Sequence, residues 1–159
     1  MSVWRHLRAV LLLPGTVTLV VPAIIVSRSG ADVELVPALL GGVLIVLGLA
    51  LVVWTVKLFV TVGKGTLAPW DPTTELVVRG PYRHVRNPMI TGVACILAGG
   101  ATFFGSWSLL ILLGAFVAVN AVYFPLIEEP GLARRFGAEY ESYRANVPRW
   151  LPRLRPWNP

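Results

Sequence analysis

The sequence is poor in charge. Only 14% of its 159 residues are Asp, Glu, Lys or Arg, where an ordinary soluble domain carries about 25%. With 55% hydrophobic residues and a mean hydropathy of +0.70, so small a body cannot hide its apolar side chains. A soluble globular domain and a disordered chain are both excluded. Cysteine is nearly absent. The single Cys95 can form no internal disulfide, which excludes a disulfide scaffold, and inside an apolar run it reads as a small packing residue. The two histidines, His6 and His84, lie too far apart for zinc or di-iron spacing, and no metal site is expected. No Ser-His-Asp set, phosphate-binding loop or dinucleotide fingerprint occurs.

What is present is four apolar runs: about Ala9 to Val26, Leu35 to Val62, Met89 to Phe104 and Trp107 to Ile127. Crossing a bilayer takes about 20 helical residues. The pattern predicts an all-α, polytopic integral membrane protein with four transmembrane helices. The break Phe104-Gly105-Ser106-Trp107 makes the last two a helical hairpin. Lys57 is the only charge inside a run, and near its end it reads as a snorkelling side chain. Pro14 and Pro22 are expected to kink the first helix. Arg5 and Arg8 ahead of Leu11-Leu12-Leu13 also resemble the start of a signal peptide, but the long run without a clear cleavage site favours a retained helix. Small residues at Gly41, Gly42 and Gly48, at Ala94 and Ala98, and at Gly114 and Ala118 suit close helix packing, the last two pairs with small-xxx-small spacing.

The net charge of +6 resolves by position. Arg5, Arg8, Lys64, Arg79, Arg83, Arg86 and six tail arginines place 12 of 14 basic residues on one side of the four spans, with Arg28 opposite and Lys57 within. By the positive-inside rule that side is cytoplasmic, with both termini on it, as in a bacterial-type inner membrane or its equivalent. Nucleic acid falls away as a partner, because these residues line one membrane face. Membrane lipids remain as one, and the oligomeric state is left open.

Two cytoplasmic segments carry the polar residues. Residues 63–89 are too rich in Gly and Pro for a regular helix. Gly63 and Gly65 permit close backbone approach to a ligand, and Asn87-Pro88 starts the third span. Alternatively this is a loop whose arginines bind lipid headgroups. The second segment is Glu128-Glu129-Pro130, expected at a helix C-terminus, where carboxylates oppose the helix dipole. Compensation comes either from Arg83, Arg86 or Arg134, or from a cationic or hydroxyl-bearing ligand. Beyond it, residues 132–145 form an expected amphipathic interfacial helix presenting Leu132, Phe136, Tyr140 and Tyr143 on one face. Trp150 and Trp157 suit an interfacial belt.

Gly80-Pro81-Tyr82-Arg83-His84-Val85-Arg86-Asn87-Pro88-Met89, then Gly92, resembles the GPYRYVRHPxYxG signature of the isoprenylcysteine carboxyl methyltransferase family. Glu128-Glu129, Phe136-Gly137, Tyr140, Tyr143 and Val147-Pro148-Arg149 are similar to its C-terminal pattern. Asn87-Pro88-Met89, Gly63-x-Gly65 and Glu128-Glu129-Pro130 also resemble the phosphatidylethanolamine N-methyltransferases of the same superfamily. The resemblance covers about Gly63 to Trp150. It implies a single membrane domain in which residues 1–62 form two N-terminal spans and 63–159 a methyltransferase core. The implied activity is transfer from S-adenosylmethionine to a lipophilic small molecule or lipid, an isoprenylcysteine-like carboxylate or a phospholipid amine. The implied cofactor contacts are Gly63, Gly65, Leu76, Val77, Tyr82, Asn87, Pro88, Met89, Ile90, Glu128 and Glu129. No residue is assigned a catalytic role; Arg86 and Glu129 are the candidates. The chain departs from the prenylcysteine pattern at Phe124, where that pattern has an arginine linked to the substrate carboxylate. Two other classes compete: a sterol-reductase-like NADPH-binding membrane protein, and a non-enzymatic scaffold whose basic loops bind anionic lipid.

Overall fold

The computed structural model describes residues 11–29, 33–64 and 73–159. Arg5, Arg8 and Gly65 lie outside the described residues. Among the described residues the regular structure is entirely helical. A π-wound segment α1 (Leu11–Val20) runs into α2 (Val21–Ser29), the winding changing next to Pro22. Then come α3 (Leu35–Thr61), α4 (Pro88–Phe103), α5 (Trp107–Tyr123), α6 (Glu129–Phe136) and α7 (Ala138–Asn146). Two helices are long and apolar enough to cross a membrane: α3, with 27 residues, and the continuous run Trp107–Phe136, with 30. The apolar helices Gly15–Arg28 and Pro88–Phe103 are shorter.

Glycine holds α3 against α4. A methyl group built on Gly41 would stand 2.5 Å from the Gly99 carbonyl oxygen, and one on Gly48 would stand 2.6 Å from that of Gly92. Both glycine pairs are seven residues apart in sequence, so two antiparallel helices meet backbone to backbone every two turns. Val52, Val93, Ile96 and Leu97 fill the space between these contacts. The expected small-xxx-small pairs do not make this seam; Gly114 has open space where a side chain would go. Two turns of heptad spacing, not one turn of tetrad spacing, bring small residues together on nearly straight antiparallel helices.

The hairpin forms as expected. Gly105 takes φ +57° between α4 and α5, and the Ser106 hydroxyl caps α5 by accepting from the Leu109 amide at 3.4 Å.

The end of α5 differs from expectation. Glu128 and Glu129 do not close a helix. A single π turn, Phe124–Glu128, joins α5 to α6, with the Glu129 amide donating to the Phe124 carbonyl. Pro125 lies in this turn and Pro130 directly after it; each lacks an amide donor for the ladder, and the wider π winding is where a continuous helix tolerates that loss. The helix therefore runs on to Phe136, and the dipole conflict disappears.

The expected amphipathic helix is also two helices. Gly137, at φ +53°, breaks it into α6 and α7, a conformation glycine adopts without strain. Tyr140, Tyr143 and Val147 bury themselves against Leu76, Val78, Leu132 and Phe136, which draws α7 over the loop. The last residues strap the loop from outside: the Arg86, Arg153 and Trp157 amides donate to the Pro148, His84 and Arg83 carbonyls, each at 2.9 Å. Trp150 and Trp157, expected in an interfacial belt, pack on Phe124 and Tyr143 with ring centroids 5.8 and 6.0 Å apart.

Candidate functional site

The loop after α3, the α5–α6 junction and α7 converge on one cavity of about 530 Å³, a size ordinary for small-ligand sites. Of the residues singled out from sequence, Leu76, Val77, Tyr82, Arg86, Asn87, Met89, Ile90, Glu128 and Glu129 line it. Pro88 does not; it is fully buried at the first turn of α4. Gly63 does not either. The space its missing Cβ leaves is taken by Thr73 Cγ2, 2.6 Å from a built methyl, and by Val77. The close approach at Gly63 is thus made by the chain itself, as the returning loop donates from the Thr74 amide to the Gly63 carbonyl at 2.8 Å. Lys64 and Glu75 form an ion pair beside it.

The two adjacent carboxylates have different surroundings. Glu129 is 4% exposed. Arg149 grips it by two parallel bonds, Nε to Oε1 at 2.6 Å and Nη2 to Oε2 at 2.8 Å. Arg86 adds Nη1 to Oε1 at 2.8 Å. Of the expected compensating arginines, Arg86 takes part and Arg83 does not; the Arg83 Nε instead donates to the Trp157 carbonyl at 2.8 Å. Arg149, twenty residues downstream of its partner, carries the stronger grip, and only its place in a Val-Pro-Arg sequence marked it. Two cations thus already balance the one buried anion of Glu129.

Glu128 is half-buried, lines the cavity, and makes no hydrogen bond or ion pair. Arg135 acts on it only at longer range.

Three tyrosines close the wall. The Tyr143 hydroxyl donates to the Tyr82 carbonyl at 2.8 Å, and the Tyr140 hydroxyl accepts from Arg86 Nη1 at 3.4 Å. Burial pushes all three phenols above their ordinary value, with further upward pushes from Tyr143 and Glu128 on Tyr82, from Glu129 on Tyr140, and from Tyr140 on Tyr143. They are hydroxyls, not phenolates, throughout the physiological range. The Arg149 guanidinium is pushed up by its bond to Glu129.

Toward the membrane the wall turns apolar, with Val17, Val93, Phe116 and Ile127. Asn120 faces this end. Its amide nitrogen donates to the Phe116 carbonyl at 2.8 Å. A carbonyl only accepts, so the amide orientation is fixed and the Asn120 side-chain oxygen is left without a partner. Asn120 and Glu128 are eight residues apart, which on a plain α-helix would turn them roughly 80° from each other. The π turn between them absorbs one residue, and the remaining seven steps bring the two within roughly 20° of one face. Sequence reasoning missed Asn120 because the winding that aligns it is not written in hydropathy.

Among the described residues, no group of three or more His, Cys, Asp or Glu side chains converges to hold a metal ion.

Apolar helices of bilayer length, with a mostly apolar cavity where they meet a folded loop and tail, define a membrane protein with a cavity of small-ligand size at its polar end. A protein-family model described as phospholipid methyltransferase matches residues 36–139, from the start of α3 into α7. The chain belongs to the phospholipid methyltransferase family, whose members are membrane methyltransferases acting on lipid. Comparison with curated proteins and with solved structures gives no match.

Proposed function

We propose that the chain transfers a methyl group from S-adenosylmethionine to a lipophilic acceptor at the cytoplasmic face of the membrane, with Glu128 as the carboxylate that meets the cofactor. The observation that carries this is the unequal state of the neighbouring glutamates: Glu129 is neutralised by Arg86 and Arg149, while Glu128 is free at the cavity wall. The residues fit such a cofactor. A free carboxylate suits its ammonium, and apolar and aromatic side chains suit its adenosine. Bound there, S-adenosylmethionine supplies an electrophilic methyl on a sulfonium that is already a good leaving group.

The protein's part is then alignment and exclusion of water, which can supply about 7–11 kcal/mol of a barrier. Glu128 holds the cofactor's cationic end. Tyr82, Leu76 and Val77 wall one side, Met89 and Ile90 the other. Helix α7, clamped on the loop through Tyr143, keeps water out. The acceptor would enter from the bilayer at the apolar end, where the unpaired Asn120 oxygen would receive an N–H or O–H of its head. Among the described residues an acceptor carboxylate would meet no basic side chain at that end, so an amine or hydroxyl head fits better than a prenylcysteine carboxylate.

In the membrane, residues 1–62 form the first two crossings and 63–159 the core that binds both ligands, with both termini cytoplasmic. Helix α4 is a short crossing: its 16 residues reach about 24 Å, which calls for local thinning of the bilayer.

The test is transfer of labelled methyl from S-adenosylmethionine into a total lipid extract by the purified protein. Labelled lipid with the wild type and a loss of about tenfold or more with Glu128→Gln is expected. Retention of NADPH without S-adenosylmethionine, or of neither, overturns the reading.

A further inference from the structure

Arg86 holds a donor edge in reserve. Its side chain is 10% exposed and lines the cavity. Both of its bonds leave from one nitrogen, Nη1, to Glu129 Oε1 at 2.8 Å and to the Tyr140 hydroxyl at 3.4 Å. Nε is buried with no partner at all, and Nη2 makes no bond. On a planar guanidinium, Nε–H and one Nη2–H project side by side, the edge that takes a carboxylate or phosphate by two parallel bonds. Arg149 shows that use in the same cluster, binding Glu129 with its own Nε and Nη2. Arg86 reaches the same glutamate with its outer nitrogen only, which leaves its fork unfilled inside the wall. An unpaired buried donor on a charged group is costly, and both oxygens of Glu129 are already engaged.

The cavity is therefore lined by an arginine whose fork is unfilled and, one residue from the glutamate that anchors it, by an unpaired carboxylate. We propose that the Nε–Nη2 edge of Arg86 is an oxyanion site, and that with Glu128 it receives a zwitterion, oxyanion on Arg86 and ammonium on Glu128. Two ligand parts have this chemistry: the amino-acid end of S-adenosylmethionine, and a phospholipid head carrying phosphate and ammonium. Only the first assignment rests on the methyltransferase reading. In either case Arg86 acts as a binding residue as well as a brace for Glu129.

Calorimetry on the full chain in detergent tests it with three probes: S-adenosylmethionine, its decarboxylated analogue, and soluble glycerophosphoethanolamine. If the fork takes the cofactor's carboxylate, decarboxylation weakens binding to the wild type about tenfold or more. In Arg86→Lys, which keeps a cation beside Glu129 but has no fork, the two cofactor forms bind alike. If the fork takes a lipid phosphate, the two forms bind the wild type alike, while glycerophosphoethanolamine binds it and loses about tenfold in Arg86→Lys. Equal binding of the two cofactor forms with no binding of glycerophosphoethanolamine overturns the oxyanion site and leaves the methyltransferase reading standing. Failure of S-adenosylmethionine to bind at all removes that reading, and the glycerophosphoethanolamine arm then decides the fork alone. The wild-type comparisons hold even if Arg86→Lys does not fold.

Discussion

The Tyr143 hydroxyl donates to the main-chain carbonyl of Tyr82 at 2.8 Å, so a side chain of α7 is the peg that fixes the turn bearing Tyr82. Both residues are buried, and the bond crosses 61 positions of sequence. Removing the hydroxyl in Tyr143→Phe leaves a buried carbonyl unsatisfied, at a cost of about 1–3 kcal/mol. The expected result is a lower melting temperature in detergent and weaker cofactor binding, since the turn and α7 both line the cavity. Unchanged binding would show that the cavity does not depend on this peg.

The same phenols set the alkaline limit of stability. Tyr82, Tyr140 and Tyr143 have folded values raised above their ordinary value of 10 by burial. Above that pH the unfolded chain loses these protons and the folded chain keeps them. The folded state then binds more protons, so stability falls as pH rises. The protein should melt at a constant temperature up to about pH 9 and progressively lower beyond about pH 10. Tyr143→Phe should flatten that decline, as followed by thermal melts across pH. A decline of equal slope in the variant would remove Tyr143 as a contributor.

Adjacent glutamates should separate stability from binding. Glu129→Ala strands two guanidinium groups around a buried site, and breaking such a cluster costs about 3–5 kcal/mol. Arg149 is partly exposed, its side chain 29% accessible, which puts the loss at the lower end. Glu128→Gln removes no bond and should melt within a degree or two of the wild type, yet lose S-adenosylmethionine affinity. A large drop in melting temperature for Glu128→Gln would contradict its free state.

The glycine seam predicts a contrast between neighbours. Gly48→Ala would set a methyl 2.6 Å from the Gly92 carbonyl and force α3 from α4, costing about 1–3 kcal/mol. Gly42→Ala, with nothing within 4 Å, should be neutral or stabilising by about 0.5–1 kcal/mol through helix propensity. Reversible unfolding in mixed micelles would rank the two, and equal effects would dispose of the seam.

Asn120→Leu should leave cofactor affinity unchanged and raise the acceptor KM, by about tenfold for one lost hydrogen bond to a charged or strongly polar head. A fall in cofactor affinity would place Asn120 at the other ligand.

Much of the fold was legible because a bilayer constrains it. Runs of apolar residues ended by Gly, Ser and Pro placed α3 and α4 to within a residue and the start of α5 at Trp107, since a helix in an apolar medium pairs its own backbone; the end of the fourth run, expected at Ile127, was missed because the helix winds on to Phe136. The loop-lining residues were legible through a motif of adjacent positions. What escaped was set by distance or by winding. Arg149 reaches Glu129 only because the tail folds back along the loop. Gly63 carries the same letter whether a ligand or Thr73 fills its space. Pro130 reads as a stop, yet the π turn before it converts that stop into the first turn of α6. The seam hides because seven-residue spacing between glycines is inconspicuous in a chain with 15 of them.

The π turn at Phe124–Glu128 gives the chain tolerance to one change in length. It stores a single surplus residue between the bilayer part of the helix and the part that carries the glutamates. A chain lacking Pro125 could wind there as plain α-helix and still present Asn120 and Glu128 on one side. A chain with one residue more would swing the glutamates about 100° around the axis and out of the cavity. Shortening by one and lengthening by one are therefore unequal changes at this point, a trait that a length comparison among active variants would reveal directly.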